Sequence, residues 1–122
     1  MIFKMEHNCI IVEDLDRTVS FYEKALQLKV LRRKSGSDRD IIFLGNEHSG
    51  HQIEVLRFYD QQGPIKLGDN PCHLAFRTDD IEGAKAFHAG LGCISKDVPE
   101  YGVYFIQDPD GYECEIMPVR KK

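Results

Sequence analysis

Two histidines and two glutamates in this 122-residue chain occupy matching places in two similar stretches. His7 opens one apolar segment and Glu54 lies in a later one, HQIEVL; His73 opens another and Glu115 lies in YECEIM, near the end. A carboxylate taken out of water is costly unless a cation meets it. Imidazole nitrogens and carboxylate oxygens are also the donors that bind many divalent metals. The residue types therefore suggest a metal site, provided that the fold brings them to one surface.

An internal repeat relates the two halves of the chain. The stretch HNCIIVEDLDRTVSFYEKALQL begins at His7, and HLAFRTDDIEGAKAFHAGLGC begins at His73. Three pairs of residues keep the same spacing of 66 positions: His7 and His73, Asp14 and Asp80, Phe21 and Phe87. An offset kept at three places indicates one structural module used twice.

Each half is predicted to contain a strand, a helix and three further strands. The first helix is predicted from an apolar stripe at helical spacing, with Asp14 or Asp16 as its N-cap: Leu15, Val19, Tyr22 and Leu26. The second is shorter, is ended by Gly90 and Gly92, and has this stripe: Ile81, Ala84, Phe87, His88 and Leu91. Residues 60–71 contain two glycines and two prolines, which predicts a linker between modules of about residues 1–59 and 72–122 in a single domain.

The fold class that follows is α+β. A single βαβββ module cannot bury both faces of its own sheet. Two modules are therefore expected to pair, either within the chain or with a second copy of it. Paired modules would form a curved mixed sheet around a cleft, with the helices on the outer face.

Strand alternation predicts which side chains line the cleft. If the bulkier apolar residues of each strand pack under the helices, the opposite parity turns His7, His73, Glu54 and Glu115 into the cleft. The same parity adds these predicted cleft residues: Cys9, Ile11, Leu56, Phe58, Ala75, Glu113 and Met117. Glu113 is expected at the cleft mouth in contact with water, and three other histidines are expected at the surface: His48, His51 and His88.

A simpler interpretation remains open for each residue taken alone. One face of an antiparallel sheet is often solvated, which would explain Glu113 and Glu115 without any ligand. A single histidine is also more often structural than metal-binding. As a set related by a repeat, however, two histidines and two glutamates favour one divalent ion with open positions for water, such as Ni²⁺, Co²⁺, Mn²⁺, Fe²⁺ or a catalytic Zn²⁺.

Composition argues against other classes of function. Sixteen Lys and Arg against 20 Asp and Glu give a pI near 5.7, and basic residues are scattered, so nucleic acid is not an expected partner. The four cysteines have no CxxC spacing, the start of the chain is too short and polar for a signal peptide, and no apolar run approaches a membrane span. A reduced, cytoplasmic protein with a small-molecule substrate is expected.

The combined pattern resembles the vicinal oxygen chelate superfamily, which includes glyoxalase I, bleomycin-resistance proteins and extradiol dioxygenases. The resemblance rests on His7 with IIVEDLDRTVSFYEKALQL, on QIEVL, on His73 with LAFRTDD, and on DPDGYECEI, and it covers nearly the whole chain. It is closest to lactoylglutathione lyase-like proteins. It implies one divalent metal bound by His7, Glu54, His73 and Glu115, and a homodimer with two equivalent sites.

The reaction implied by the resemblance is that of a metal-dependent glyoxalase-like lyase or isomerase. A hemithioacetal of a thiol and a 2-oxoaldehyde would lose its C1 proton to Glu115, pass through a metal-bound enediolate and regain the proton at C2, while Glu54 holds the opposite side of the metal. Similar glutathione-dependent enzymes usually carry an Arg and an Asn where this chain has Ile11 and Phe58, so the thiol is expected to differ.

Other reactions of the superfamily remain as alternatives. An extradiol-type dioxygenase or a thiol transferase needs a position that Glu54 would occupy. A drug-binding resistance protein without catalytic activity normally lacks the ligand set that this chain retains.

Overall fold

The computed structural model describes residues 1–120, which divide into two compact units, Met1–Lys66 and the residues from Leu67 onward. The first unit contains β1 (His7–Ile11), α1 (Leu15–Leu26), β2 (Lys29–Ser35), β3 (Arg39–Asn46) and β4 (Ser49–Phe58). The second contains β5 (His73–Thr78), α2 (Ile81–Leu91), β6 (Ile94–Val98), β7 (Val103–Gln107) and β8 (Glu113–Pro118), with a 3-10 turn at Pro99–Tyr101. The predicted α+β class and the βαβββ order of each half are confirmed.

Each unit has one mixed four-stranded sheet with the same topology. The strand orders are β1-β4-β3-β2 and β5-β8-β7-β6; the pairs β1-β4 and β5-β8 are parallel, and the other pairs of these sheets are antiparallel. In these parallel pairs Cys9 lies opposite Glu54, and Ala75 lies opposite Glu115. The opening strand of each unit thus runs beside the strand that carries its glutamate.

Helix α1 covers one face of the first sheet. Asp14 is the N-cap, one of the two candidates that the sequence offered, and its Oδ1 accepts a hydrogen bond from the Arg17 backbone N–H at 3.0 Å. The helix buries Thr18, Val19, Tyr22 and Ala25. Alternate strand residues complete the core of this unit: Ile10, Ile42, Leu44, Ile53 and Val55. The other face of the sheet is left for the residues that the parity argument assigned to the cleft.

Helix α2 is capped in the same way but buries a polar side chain. Asp80 accepts a hydrogen bond from the Gly83 N–H at 2.9 Å, and Gly92 ends the helix with φ 71°. His88 is only 3% exposed, so its predicted surface placement is wrong. Position 88 belongs to the inward stripe of the helix, and His88 Nδ1 shares a hydrogen bond with the Tyr104 hydroxyl at 2.7 Å, which offsets the cost of burial.

No helix within residues 1–120 is long and apolar enough to cross a membrane.

The buried Tyr104 hydroxyl predicts a loss of stability at high pH. Burial, with a smaller contribution from Cys93, raises the pKa of Tyr104 from 10.0 to about 12. Between those values only the unfolded chain releases this proton. The contribution to the free energy of unfolding is therefore complete below pH 10 and is lost as the pH rises toward about 12, with a slope on the order of 1 kcal/mol per pH unit.

Guanidinium unfolding of the native chain and of Tyr104→Phe, across that pH range, measures this contribution. The stability advantage of the native chain should shrink as the pH rises. Tyr101→Phe is the matched control because Tyr101 is 78% exposed. A difference between native and Tyr104→Phe that stays constant with pH would contradict the assignment.

Candidate functional site

The first unit brings His7 and Glu54 together. His7 Nε2 lies 3.8 Å from Glu54 Oε2, and the Glu54 side chain keeps 17% of its exposure. The pairing of Cys9 with Glu54 explains this, because His7 lies two residues before Cys9 and so shares its face. The other ring nitrogen of His7, Nδ1, contacts the Glu6 carboxylate. That contact lowers the pKa of Glu6 and leaves Nε2 as the nitrogen turned toward Glu54.

The second unit repeats the pair with His73 and Glu115. His73 Nε2 lies 3.4 Å from Glu115 Oε1, and the Glu115 side chain is 21% exposed. The register between β5 and β8 has the same form, with Ala75 opposite Glu115. Both units therefore present an imidazole Nε2 to a half-buried carboxylate at the same place in the sheet.

An aromatic ring lies beside each pair. Phe43 on β3 pairs with Glu54, and its ring meets the His7 ring edge-on, with centroids 5.5 Å apart and planes at 85°. Phe105 on β7 pairs with Glu115 and meets the His73 ring at 5.1 Å and 87°. The sequence analysis missed both rings. The signal that could have found them is the phenylalanine at the centre of IIFLG and of VYFIQ, the penultimate strand of each half.

A basic side chain covers each of these rings. The Arg32 guanidinium carbon lies 4.0 Å from the centroid of Phe43, and Lys96 Nζ lies 5.6 Å from the centroid of Phe105. Both distances are in the range of cation–π contacts. The register of β2 on β3 shifts between Val30 and Arg32, and the register of β6 on β7 shifts at the equivalent place. These bulges turn Arg32 and Lys96 onto the site face, which alternation alone did not predict.

The donor geometry of each unit fits one side of a metal site. Two atoms that are each ~2.1 Å from one ion lie ~3.0 Å apart at a right angle and ~4.2 Å apart on opposite sides. The separations of 3.8 and 3.4 Å fall between these values. Within residues 1–120 no three His, Cys, Asp or Glu side chains form a group that could hold an ion. Each unit by itself supplies one nitrogen and one carboxylate.

The other predicted cleft residues lie on these strands with different exposures. Cys9, Ile11 and Ala75 are exposed, Phe58, Glu113 and Met117 are half-buried, and Leu56 is buried at 6% exposure. Glu113 was expected to be in contact with water, but it is half-buried and has hydrogen-bond partners. Its carboxylate accepts a hydrogen bond from Ser95 Oγ at 2.7 Å and a longer one from Gln107 Nε2 at 3.4 Å. Glu113 is thus tied to neighbouring strands, whereas Glu115 faces His73.

Two histidines outside the pairs differ in their surroundings. His48 is exposed, as predicted. His51 is half-buried on β4, and its Nε2 lies 2.8 Å from Asn8 Oδ1 on β1, so its predicted surface placement is wrong. The hydrogen bond with the Asn8 amide offsets the cost of partly burying the His51 imidazole.

A groove of about 500 Å³ in the first unit lies away from these pairs. Residues 13–16, 33–35 and 40–42 line it together with Arg57. The Arg57 Nε donates a 2.7 Å hydrogen bond to the Glu13 carbonyl oxygen, and the lining mixes acidic and basic residues. Because the groove contains none of the predicted site residues, its volume gives no reason to move the candidate site there.

The pKa of the Cys9 thiol depends on the Glu54 carboxylate beside it. Although Cys9 is an exposed residue, partial desolvation of its thiol raises the thiol pKa to about 12, and the neighbouring Glu54 carboxylate adds to the rise. In metal-free protein, Glu54→Gln should lower this pKa and speed alkylation of Cys9 by iodoacetamide at about pH 9, by about tenfold for each pKa unit recovered. Mass spectrometry measures the rate, with exposed Cys72 as the internal reference.

Glu47→Gln is the matched control for this measurement, because Glu47 is an exposed carboxylate of the same unit that does not affect Cys9. An unchanged ratio of Cys9 to Cys72 alkylation in Glu54→Gln would show that the two side chains do not share a face.

Comparison with known proteins places this geometry in a family. The chain is 29% identical over 120 residues to the lactoylglutathione lyase of Haemophilus influenzae, covering 91% of this chain and 89% of that protein. The structure of the trypanothione-dependent glyoxalase I of Leishmania major is similar with a TM-score of 0.84 and 29% identity, over 96% of this chain and 87% of that one. The antibiotic-binding protein TnmS3 of a Streptomyces species shares the fold, with a TM-score of 0.73 and 17% identity over 98% of both chains. Residues 4–116 match the family profile, and the chain belongs to the Glyoxalase/Bleomycin resistance protein/Dioxygenase superfamily.

Proposed function

We propose that this protein is a metal-dependent lyase or isomerase of the glyoxalase type, which acts on the hemithioacetal of a thiol and a 2-oxoaldehyde. The observation that supports it is the repeated pair in which a histidine Nε2 faces a half-buried glutamate. A protein that only sequesters a drug has no need to keep two such pairs at equivalent positions. The similarity to a lactoylglutathione lyase over most of both chains points the same way.

In this proposal His7, Glu54, His73 and Glu115 hold one divalent ion, brought together either within one chain or between two chains of a homodimer. Bound there, the ion supplies Lewis-acid chemistry: it neutralises negative charge that develops on two neighbouring oxygens of the substrate. The two imidazoles donate through Nε2, and the Glu6 contact at Nδ1 fixes the orientation of the His7 ring. The expected compartment is the cytoplasm.

Glu115 is assigned as the catalytic base. Its carboxylate takes the proton from C1 of the hemithioacetal and returns it to C2, so that the hydroxy-ketone arrangement becomes a thioester of a 2-hydroxy acid with no net gain or loss of atoms. Glu54 holds the opposite side of the site and balances its charge. Phe105 packs beside the base and keeps bulk water from one side of it.

The thiol of this substrate is proposed to differ from glutathione. Ile11 and Phe58 stand where polar contacts to glutathione are usual, and losing one charge-assisted contact weakens binding roughly ten- to a hundredfold. The Leishmania relative is described as trypanothione-dependent, so a similar protein uses another thiol. The same chemistry can therefore operate with a different cosubstrate.

Metal binding is the first test of the proposal. About one divalent ion per chain should bind when metal-free protein is titrated with Ni²⁺, Co²⁺, Mn²⁺ or Zn²⁺, measured by calorimetry and by elemental analysis after dialysis. Affinity should fall in acid because the histidines and glutamates must be deprotonated to bind. His73→Ala should weaken binding, and the exposed His48→Ala should not. Absence of binding for all four ions would favour a metal-free binding protein instead.

Substitutions of the two glutamates of β8 test whether Glu115 is the catalytic base. Glu115→Gln should lower turnover of a methylglyoxal hemithioacetal by at least about a hundredfold and weaken metal binding, because it removes both the base and a donor. Glu113→Gln is the matched control on the same strand face, since an amide oxygen can still accept the hydrogen bond from Ser95. If Glu113→Gln were inactive and Glu115→Gln active, the assigned base would be wrong.

A further inference from the structure

We propose that Arg32 binds a carboxylate of the substrate, so that the natural hemithioacetal is an anion whose charged group lies beside the reacting atoms. This inference rests on the proposed function for the identity of the reaction. It adds a recognition site in the first unit, outside the four donor residues, and it assigns a chemical class to the thiol.

The bulge in β2 places Arg32 on the site face. Val30 pairs with Leu44 and Arg32 pairs with Phe43, so the intervening Leu31 is the extra residue. Leu31 packs over Gly45, where an added Cβ would lie 2.8 Å from the Leu31 Cδ1, so a larger residue at position 45 would require the Leu31 side chain to shift. Without the extra residue, Arg32 would take the opposite parity and face the helix side.

The position of Arg32 is close to the candidate reaction centre. Its guanidinium lies over the ring of Phe43 at 4.0 Å, and the His7 ring meets the same ring at 85° with centroids 5.5 Å apart. Phe43 also pairs with Glu54 across the strands. A substrate group bound by Arg32 is therefore separated from the His7–Glu54 pair by a single aromatic side chain.

Arg32 has an unused charge. Among residues 1–120 no carboxylate lies within 4.0 Å of its guanidinium, whereas Arg39 on the neighbouring strand is paired with Asp38 at 2.8 Å. The charge of Arg32 is one of the smaller influences that lower the pKa of Glu6, after the hydrogen bond with His7. Glu6 is directed to the His7 ring and is largely exposed, so Arg32 keeps its hydrogen-bonding edge for another anion.

The chemistry of that edge selects a carboxylate. A guanidinium that stacks on an aromatic ring keeps its planar N–H groups free to bind a carboxylate through two parallel hydrogen bonds. Lys34 Nζ, 5.8 Å from the centroid of Phe43, adds positive charge to the same face. Two cations thus lie at this face, although the whole chain has a net charge of −4. In the second unit Lys96 takes the equivalent position over Phe105, so a cation at this register is a property of the module.

A pair of thiols that differ in one carboxylate tests the inference. N-acetylcysteine and N-acetylcysteamine have the same thioethyl amide skeleton, and only the first carries a carboxylate. With methylglyoxal and metal-loaded enzyme, Arg32→Gln should raise KM for the N-acetylcysteine hemithioacetal roughly ten- to a hundredfold and leave the neutral N-acetylcysteamine substrate little changed. Arg32→Lys should recover part of the loss, because it restores the charge but not the planar fork.

Arg33→Gln is the matched control. It removes the same charge one residue later, where Arg33 pairs with Ile42 and so takes the opposite parity. It should affect neither substrate. An equal effect of Arg32→Gln on both substrates would indicate a purely structural role and overturn the inference, as would no effect on either. If Arg33→Gln raised KM for the anionic substrate as much as Arg32→Gln does, any nearby positive charge would suffice to attract the substrate. That result would also overturn the inference.

A binding measurement separates this inference from the proposed reaction. Metal-free protein is titrated with N-acetyl-S-methylcysteine and with N-acetyl-S-methylcysteamine, followed by NMR shifts. The anionic probe should bind more tightly than the neutral one in the native chain and in Arg33→Gln, and Arg32→Gln should abolish the difference. If neither hemithioacetal is turned over by the native enzyme, the proposed lyase activity fails, and this titration still decides whether Arg32 binds a carboxylate. Equal binding of both probes by the native chain would refute it.

Discussion

A carboxylate that is largely removed from water must be met by positive charge, and this requirement organises the candidate site of each unit. Glu54 and Glu115 retain only 17% and 21% of their side-chain exposure, with a phenylalanine beside each one. An imidazole Nε2 faces each carboxylate, but a neutral imidazole cannot cancel a full negative charge. In the proposed site a divalent cation would complete the electrostatics of such a pair, because the donor types and their partial burial both suit a metal.

The shared register of the two sheets shows how one module produces this arrangement twice. Parallel pairing of the opening strand with the closing strand sets the histidine near the glutamate, and the antiparallel neighbour adds the phenylalanine. A bulge in the outer strand then adds the basic residue, Arg32 in one unit and Lys96 in the other. Both bulges occupy the same place although the sequences around them, VLR and ISK, differ. The backbone register is thus retained where side-chain identity is not.

The parts predictable from the sequence were those governed by a local period. Helical spacing and an acidic cap gave α1, and alternation over a few residues gave the faces of His7 and Glu54, because parity cannot change within an unbroken strand. The bulge before Arg32 breaks that period, so alternation could not place this side chain. His88 was misplaced for another reason: its burial depends on a partner, Tyr104, that lies 16 residues away and comes close only in the folded unit.

The two units are alike in donor geometry but unequal in the charge around it. The face of the first unit carries Arg32 and Lys34 near its pair, whereas in the second unit Lys96 lies at the matching ring. The register of the regularly paired strands fixes the histidine, the glutamate and the phenylalanine of each unit. The basic residues follow a bulge in the outer strand, where the register is reset, so the charge beside each pair can differ between the units without disturbing the donors.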